Sequence, residues 1–248
     1  MFYDDKTKSQ IYPGFIPLDN TTGNPTWYEF GCILNFLNEN ELEEDTLYGF
    51  FGNKVFEKTG FTGDEILNHV KSNSDSEVIL LHFAWDQICF YQNPYEQGER
   101  WHPGLTHITQ EFLNQAGVNV NITDLVTTDE TSVFCNFVVA TKDYWKEWKD
   151  LATKFYEYAS DESNGIDKIQ TPHRGVAPMK TFIQERFPAL ILSRNFFETK
   201  SIYNRSLVKN HFRFKSCNDS KKNMLENPES GIASREYILS REMVALST

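Results

Sequence analysis

The sequence lacks the signals that would direct it into a membrane or onto a nucleic acid. No run of about 18 apolar residues occurs, so we predict no transmembrane helix, and residues 1–10 contain no apolar segment typical of a secretory signal. Lys and Arg number 24 against 35 Asp and Glu, so the formal net charge is -11 and no basic excess exists for a phosphate backbone. We therefore predict a cytoplasmic protein without a nucleic-acid partner, and a position at the inner face of the membrane stays open.

Motifs of several large classes of enzyme are also missing. The cysteines Cys32, Cys89, Cys135 and Cys217 form no CxxC pair, which disfavours a zinc ribbon and favours reduced thiols. The chain has no GxxxxGK[ST] phosphate loop, no GxGxxG dinucleotide motif, no GxSxG nucleophile elbow and no DxD. Any chemistry must therefore come from residues outside these motifs.

The composition is that of a folded protein that is rich in aromatic residues. Hydrophobic residues make up 40% and aromatic residues 15% of the chain, and we expect most of the aromatic side chains in the core. Helical and strand patterns alternate, which predicts an α/β layered domain with a mixed central sheet flanked by helices. The predicted strands are 46–51, 77–83 and 133–140, and the predicted helices begin near residues 24, 62, 103, 143 and 178.

The remaining segments are predicted to be irregular or terminal. Residues 85–102 are interpreted as a loop with many aromatic side chains, and residues 160–177 as a polar loop. We place one α/β domain of catalytic type at 1–210. Residues 211–248 are predicted to be a polar tail with a short helix near 235–244.

Glu185 is the first candidate for catalysis. It lies among the apolar residues Phe182, Ile183 and Phe187, and a carboxylate in such surroundings can act as a general base. A structural ion pair is the alternative for Glu185.

Residues 96–104 bring acids, an indole and an imidazole together. Trp101 could stack on a sugar or a base, while Glu99 and His102 could bind hydroxyl groups or, for His102, act as a second candidate base. The alternative is a polar loop that caps the next helix and buries Trp101 in the core.

Two further groups are candidates for binding charged ligands. His173 and Arg174 lie next to a glycine, a combination that suits an anion such as a diphosphate. Glu44 and Asp45 belong to the acidic cluster most able to hold Mg²⁺ or Mn²⁺. A solvated loop is the alternative in both places.

Several short blocks, in order, carry a resemblance to a known family. They are Glu-Asp-Thr-Leu-Tyr-Gly-Phe-Phe at 44–51, Glu-Lys-Thr-Gly at 57–60, Tyr-Glu-Gln-Gly-Glu-Arg-Trp-His-Pro-Gly at 95–104, Cys-Asn-Phe-Val-Val-Ala at 135–140, Tyr-Trp-Lys-Glu-Trp at 144–148 and Phe-Ile-Gln-Glu-Arg-Phe at 182–187. The chain resembles glycosyltransferase-like proteins of bacterial capsule and lipopolysaccharide clusters, over roughly residues 25–200.

The resemblance implies a GT-A-like fold that binds a nucleotide-sugar donor at the carboxyl ends of the strands. A saccharide or lipid-linked saccharide acceptor would lie in the adjacent cleft. In this chain Asn136, Glu185 and Arg186 would line that cleft, with Glu99 and His102 as further candidates.

The missing DxD leaves the metal open. The transferase could use Mn²⁺ or Mg²⁺, or it could neutralise the leaving diphosphate with cations such as Arg174, Arg186 or Lys180. The alternative function is that of a non-catalytic carbohydrate-binding or assembly protein with the same fold.

Overall fold

The computed structural model describes residues 1–52, 54–173, 175–207 and 211–245. Its central sheet has four strands: β1 (Tyr48–Gly49), β2 (Val78–His82), β3 (Val138–Ala140) and β6 (Thr199–Tyr203). Their order is β1-β3-β2-β6, with β3 antiparallel to both neighbours and β6 parallel to β2. Strands β4 (Gln170–Pro172) and β5 (Val176–Pro178) form a separate antiparallel hairpin. The predicted α/β class with a mixed sheet is therefore confirmed.

Most of the chain is helical. The helices are α1 (Asp5–Lys8), α2 (Tyr28–Glu39), α3 (Lys54–Thr59), α4 (Gly63–Ser72), α5 (Trp85–Phe90), α6 (Pro94–Trp101), α7 (Leu105–Gln115), α8 (Lys142–Ser160), α9 (Met179–Gln184), α10 (Phe187–Arg194), α11 (His211–Glu226) and α12 (Gly231–Ala245). In the described part of the chain, no helix is both long and apolar enough to cross a membrane.

Strand β2 shows why the sheet is covered on both faces. All five of its residues are buried, and successive side chains of a strand point to opposite faces. Val78 and Leu80 belong to one hydrophobic cluster, whereas Ile79 and Leu81 belong to another. The sheet is thus the middle layer of the structure.

The aromatic side chains of α8 fill the larger of these two clusters. Tyr144, Trp145 and Trp148 are almost completely buried. The ring of Trp145 meets Phe50 edge-on at 4.8 Å, and Trp148 packs against Phe30 at 5.4 Å. These contacts confirm the expectation that most aromatic residues belong to the core, although Tyr156 of this helix is exposed.

Short-range signals predicted several element ends well. Thr62 and Glu65 form the expected capping box, in which the Thr62 hydroxyl accepts from the Glu65 N–H at 3.2 Å and the Glu65 carboxylate accepts from the Thr62 N–H at 2.7 Å. Gly117 has a φ of 70° just after α7, as a helix-ending glycine should. A break also falls before Pro188, where α9 ends and α10 begins.

The interpretation of 85–102 as a loop is wrong, because this segment forms α5 and α6. The Asn93 side chain accepts hydrogen bonds from the N–H groups of Tyr95 and Glu96, both at 2.9 Å, and Pro94 occupies the first turn. These are normal features of a helix start. The predicted strand at 133–140 is also shorter than expected, since only Val138–Ala140 pair.

Residues 211–245 form two helices in place of a polar tail with one short helix. Helices α11 and α12 pack against each other and against α5. Cys217 and Tyr237 complete a third hydrophobic cluster with Ile88, Cys89 and Phe134. The C-terminal residues therefore help to form the surroundings of α5.

Candidate functional site

A cleft of about 840 Å³ opens where β2 ends and where the chain enters β3. Phe83 follows the last residue of β2, and Phe134 and Cys135 precede β3. Ligands of open α/β sheets commonly bind at the carboxyl ends of strands. Six aromatic side chains line this cleft: Phe83, Phe90, Tyr91, Trp101, Phe134 and Phe182.

Four of the sequence blocks described above meet at this cleft. Residues 57–60 contribute Lys58, residues 95–104 contribute Trp101 and His102, and residues 135–140 contribute Cys135. The block 182–187 contributes Glu185 among others. Segments that are far apart in the chain therefore supply one site.

Glu185 ends α9, and its half-buried side chain lines the cleft. Burial raises the pKa of Glu185 to about 7, against the lowering effect of the positive charges of Arg186 and Lys58. A carboxylate with a pKa near the working pH is suited to accept a proton in a reaction. The geometry therefore keeps Glu185 as the leading candidate base.

Arg186 also borders the cleft, but protein groups hold its buried side chain. The guanidinium donates to the carbonyl oxygens of Pro94 at 2.7 Å and Phe182 at 2.5 Å, and to Oε1 of Gln97 at 2.5 Å. A Cβ on Gly98 would lie 2.7 Å from Nε of Arg186, so the glycine permits this close approach. Three of the five N–H donors thus have protein acceptors, two of them on α6 and one on α9. The predicted substrate ligand therefore acts first as a positioning residue.

His102 is buried at the end of α6. Its ring stacks on Phe182 with centroids 3.6 Å apart, and Nδ1 lies 3.2 Å from the Thr171 hydroxyl. Burial, together with the charges of Arg186 and His173, lowers the pKa of His102 to about 4. His102 is therefore a neutral imidazole near pH 7 and a weaker candidate base than Glu185.

The structure describes only one member of the candidate anion-binding pair at 173–174. His173 lines the cleft, with its ring 5.1 Å from Phe182 and 6.2 Å from His102. Arg174 lies outside the described residues.

Glu99 caps a helix, as the alternative for residues 96–104 proposed. Its carboxylate accepts from the N–H groups of Gly104 at 2.7 Å and Thr106 at 2.8 Å. Burial acts to raise the pKa of Glu99, but these hydrogen bonds outweigh it and the pKa is lowered. Glu99 is also not among the residues that line the cleft, so it is poorly placed to bind a substrate hydroxyl there.

Trp101 differs from that alternative, since 59% of its surface is exposed. It forms part of the wall between the cleft and a neighbouring depression that contains Glu96 and Arg241. Its position keeps it available for stacking on a ring of a ligand.

Asn136 lies behind the wall of the cleft. It is buried, and its Nδ2 donates to Oε1 of Gln184 at 3.3 Å. Its Oδ1 is buried without a hydrogen-bond partner among the described residues. Asn136 is not among the residues that line the cleft.

The metal candidates Glu44 and Asp45 lie away from the cleft. Glu44 pairs with Lys142 at 2.7 Å. Lys142 comes shortly after the last residue of β3, which lies beside the first residue of β2. An ion held there would lie at the opposite end of the strands from the cleft. Within the described ranges, no group of three or more His, Cys, Asp or Glu side chains is placed to hold a metal ion. The acidic pair therefore does not fit a metal beside a ligand in the cleft.

Lys58 and Cys135 were missed by the sequence reasoning as site residues. The Lys58 ammonium lies 3.0 Å from Sγ of Cys135, although the two residues are 77 positions apart. Both belong to blocks that carry the family resemblance, which is the one signal that could have identified them.

No family model, curated protein or solved structure matches this chain.

Proposed function

We propose that the chain is a glycosyltransferase of GT-A-like fold, and that the cleft at the end of β2 is its active site. It would transfer a sugar from a nucleotide-sugar donor to a saccharide or lipid-linked saccharide acceptor in the cytoplasm or at the inner face of the membrane. The observation that carries this proposal is the position of Glu185, a carboxyl group with a pKa of about 7 within a cleft lined by aromatic rings.

The proposed chemistry needs one base and a place for flat or apolar ring faces. In an inverting transfer, Glu185 takes the proton of the acceptor hydroxyl while the oxygen of that hydroxyl forms a bond to the anomeric carbon of the donor sugar. The bond from that carbon to the donor phosphate breaks, and its electron pair leaves with the diphosphate. Exposed Trp101 and the neighbouring Tyr91 offer rings on which a sugar or a base can pack.

Binding of nucleotides is the first test of this proposal. We expect one of UDP, GDP, CDP, TDP or CMP to raise the melting temperature, because a ligand that binds only the native state stabilises it. Each nucleotide is measured with and without Mn²⁺, which shows whether a metal takes part, and the matching nucleoside is the control. If no nucleotide shifts the melting temperature and oligosaccharides do, the non-catalytic carbohydrate-binding function replaces the transferase.

Glu185→Gln tests the base once donor and acceptor are known. We expect kcat to fall by about 10²- to 10⁴-fold, because the amide cannot accept the proton, while the thermal shift with the nucleotide persists. Glu147→Gln, at an exposed position of α8, is the matched control and should keep wild-type turnover. Wild-type turnover by the Glu185 variant would exclude Glu185 as the base.

A further inference from the structure

The leaving diphosphate of a transfer requires positive charge close by. Of the cations named above, Lys180 and Arg186 bind other protein groups. Buried Lys180 is paired with Asp167, hydrogen-bonded to the Thr26 hydroxyl at 3.1 Å, and does not line the cleft. Arg186 donates three hydrogen bonds to protein acceptors. Among the described residues that line the cleft, Lys58 is the remaining Lys or Arg.

Lys58 lies in the cleft without an acidic partner. Its half-buried side chain comes from α3, and its ammonium is 5.1 Å from the ring centre of Phe83 and 5.6 Å from that of Phe137. In the part of the chain that the structure describes, no carboxylate oxygen lies within 4.0 Å of its Nζ. An ammonium so placed can bind an incoming anion without first breaking an ion pair.

The contact with Cys135 holds Lys58 without neutralising it. Burial raises the pKa of the Cys135 thiol to about 12, so the sulfur is protonated and uncharged near pH 7. Burial acts to lower the pKa of Lys58, but its hydrogen bond to the Cys135 sulfur and the charges of the Glu185 and Glu29 carboxyl groups act to raise it, and the pKa is raised. The ammonium therefore keeps its positive charge at neutral pH.

We propose that Lys58 binds the diphosphate group of a substrate in the cleft, and that Cys135 positions its ammonium for this contact. The inference deepens the proposed function and rests on it for the reaction, although the anion site itself does not require a sugar transfer. Two substrate classes share the diphosphate: nucleoside diphosphate sugars and prenyl diphosphates that carry a saccharide. In either case the ammonium stabilises the negative charge that the departing phosphate oxygen gains when the bond to the anomeric carbon breaks.

The direct test measures binding of inorganic pyrophosphate by isothermal titration calorimetry. We expect the wild-type chain to bind pyrophosphate and Lys58→Gln to bind it about 10- to 100-fold more weakly, as the loss of a charge-assisted contact predicts. Lys71→Gln, on the exposed side of α4, removes the same charge outside the cleft and should bind like the wild type. Lys58→Arg should retain more affinity than Lys58→Gln. Equal affinities of the Gln variants, or no binding by the wild type, would overturn the proposal.

Two further arms separate this inference from the proposed transferase. UDP, GDP, CDP and TDP represent the nucleotide source of the diphosphate, and farnesyl diphosphate represents the prenyl source. If pyrophosphate binding depends on Lys58 but no nucleoside diphosphate binds, the anion site stands and the nucleotide-sugar transferase falls. If a nucleotide binds equally well to the wild type and to Lys58→Gln, the transferase stands and the role of Lys58 falls.

Lysine acetylation of the wild-type chain covers the case in which Lys58→Gln does not fold. Pyrophosphate should slow the acetylation of Lys58 several-fold, as measured by mass spectrometry, and leave Lys71 unaffected as the internal reference. Equal acetylation of Lys58 with and without pyrophosphate would overturn the proposal.

Discussion

Glu185 and Arg186 are neighbours in the chain, yet their side chains lie in different surroundings. The break between α9 and α10 falls at these two residues. Glu185 lines the cleft half-buried, whereas the Arg186 guanidinium binds the carbonyl oxygens of Pro94 and Phe182. The positive charge of Arg186, which helps to hold α6 in place, also lies close to the Glu185 carboxyl group and favours its ionised form. Burial still dominates, so Glu185 carries a raised pKa at the position where a base is needed.

Glu185→Gln should change the pH dependence of stability. The charged groups that act on Glu185 are Arg186, Lys58, Glu29 and Lys54, and burial has the largest effect. Because its pKa rises from 4.5 to about 7 on folding, the native state holds a proton that the unfolded state releases, and the free energy of unfolding falls as pH rises through this window. The glutamine side chain does not titrate. The free energy of unfolding of the variant minus that of the wild type should therefore be roughly 2 kcal/mol larger at pH 8 than at pH 5.

Urea denaturation at the two pH values measures this difference. Glu147→Gln, at its exposed position on α8, should show the same stability relative to the wild type at both. A Glu185 variant that behaves like this control would mean that burial does not raise the pKa of Glu185.

At the scale of elements, α5 and α11 are joined through a buried lysine. The Lys221 ammonium on α11 donates to the carbonyl oxygens of Tyr91 at 2.6 Å and Gln92 at 3.4 Å, and also to that of Ile88. The last carbonyl groups of a helix have no partners within the helix and attract positive charge. Lys221 therefore caps the carboxyl end of α5, although it lies 129 to 133 positions further along the chain.

Lys221→Met should destabilise the protein by about 1–3 kcal/mol, because it removes the ammonium that donates to the carbonyl groups of Ile88 and Tyr91. The neighbouring Lys222 pairs with Glu130 at 2.8 Å at a partly exposed position, so Lys222→Met should lower the free energy of unfolding by no more than about 1 kcal/mol. Chemical denaturation of both variants gives the comparison, and equal losses would show that the buried contacts of Lys221 do not stabilise the fold.

At the scale of the whole molecule, the two C-terminal helices extend the hydrophobic core toward the cleft. Cys217 and Tyr237 share a cluster with Ile88, Cys89 and Phe134, and Phe134 is also a lining residue of the cleft. On the side of α12, Arg241 pairs with Glu96 of α6 at 2.7 Å. Helices α5 and α6, which carry part of the aromatic lining of the cleft, are thus in contact with α12.

A chain that ends at residue 207 should have a lower melting temperature than the full chain. The loss of α11 and α12 would expose Phe134 and the apolar side chains of α5 to water. Because burial of apolar surface is a main source of stability, this exposure should destabilise the fold. Increased fluorescence of an apolar dye should accompany the change. An unchanged melting temperature and no dye binding would instead support residues 1–210 as an independent domain.

The sequence by itself determined the local elements. The capping box at 62–65, the buried strand at 78–82 and the aromatic core face of α8 depend on residues a few positions apart, and these patterns were recognised correctly. Asn93-Pro94 was an equally local signal that was overlooked, since it starts α6 within the supposed loop. Glu185 was a candidate because its apolar neighbours are visible along the chain.

Only the tertiary structure decided which of the candidate residues share a site and what each side chain binds. In the folded chain, Arg186 donates to carbonyl groups of α6 and α9 and Glu99 caps a helix. Lys58 lies beside Cys135. The contacts of Arg186 with Pro94 and of Lys58 with Cys135 join segments of the chain that are far apart, and their partners follow from how helices pack on a sheet. Hydrogen-bond partners and burial are properties of such packing, so periodicity and spacing do not contain them.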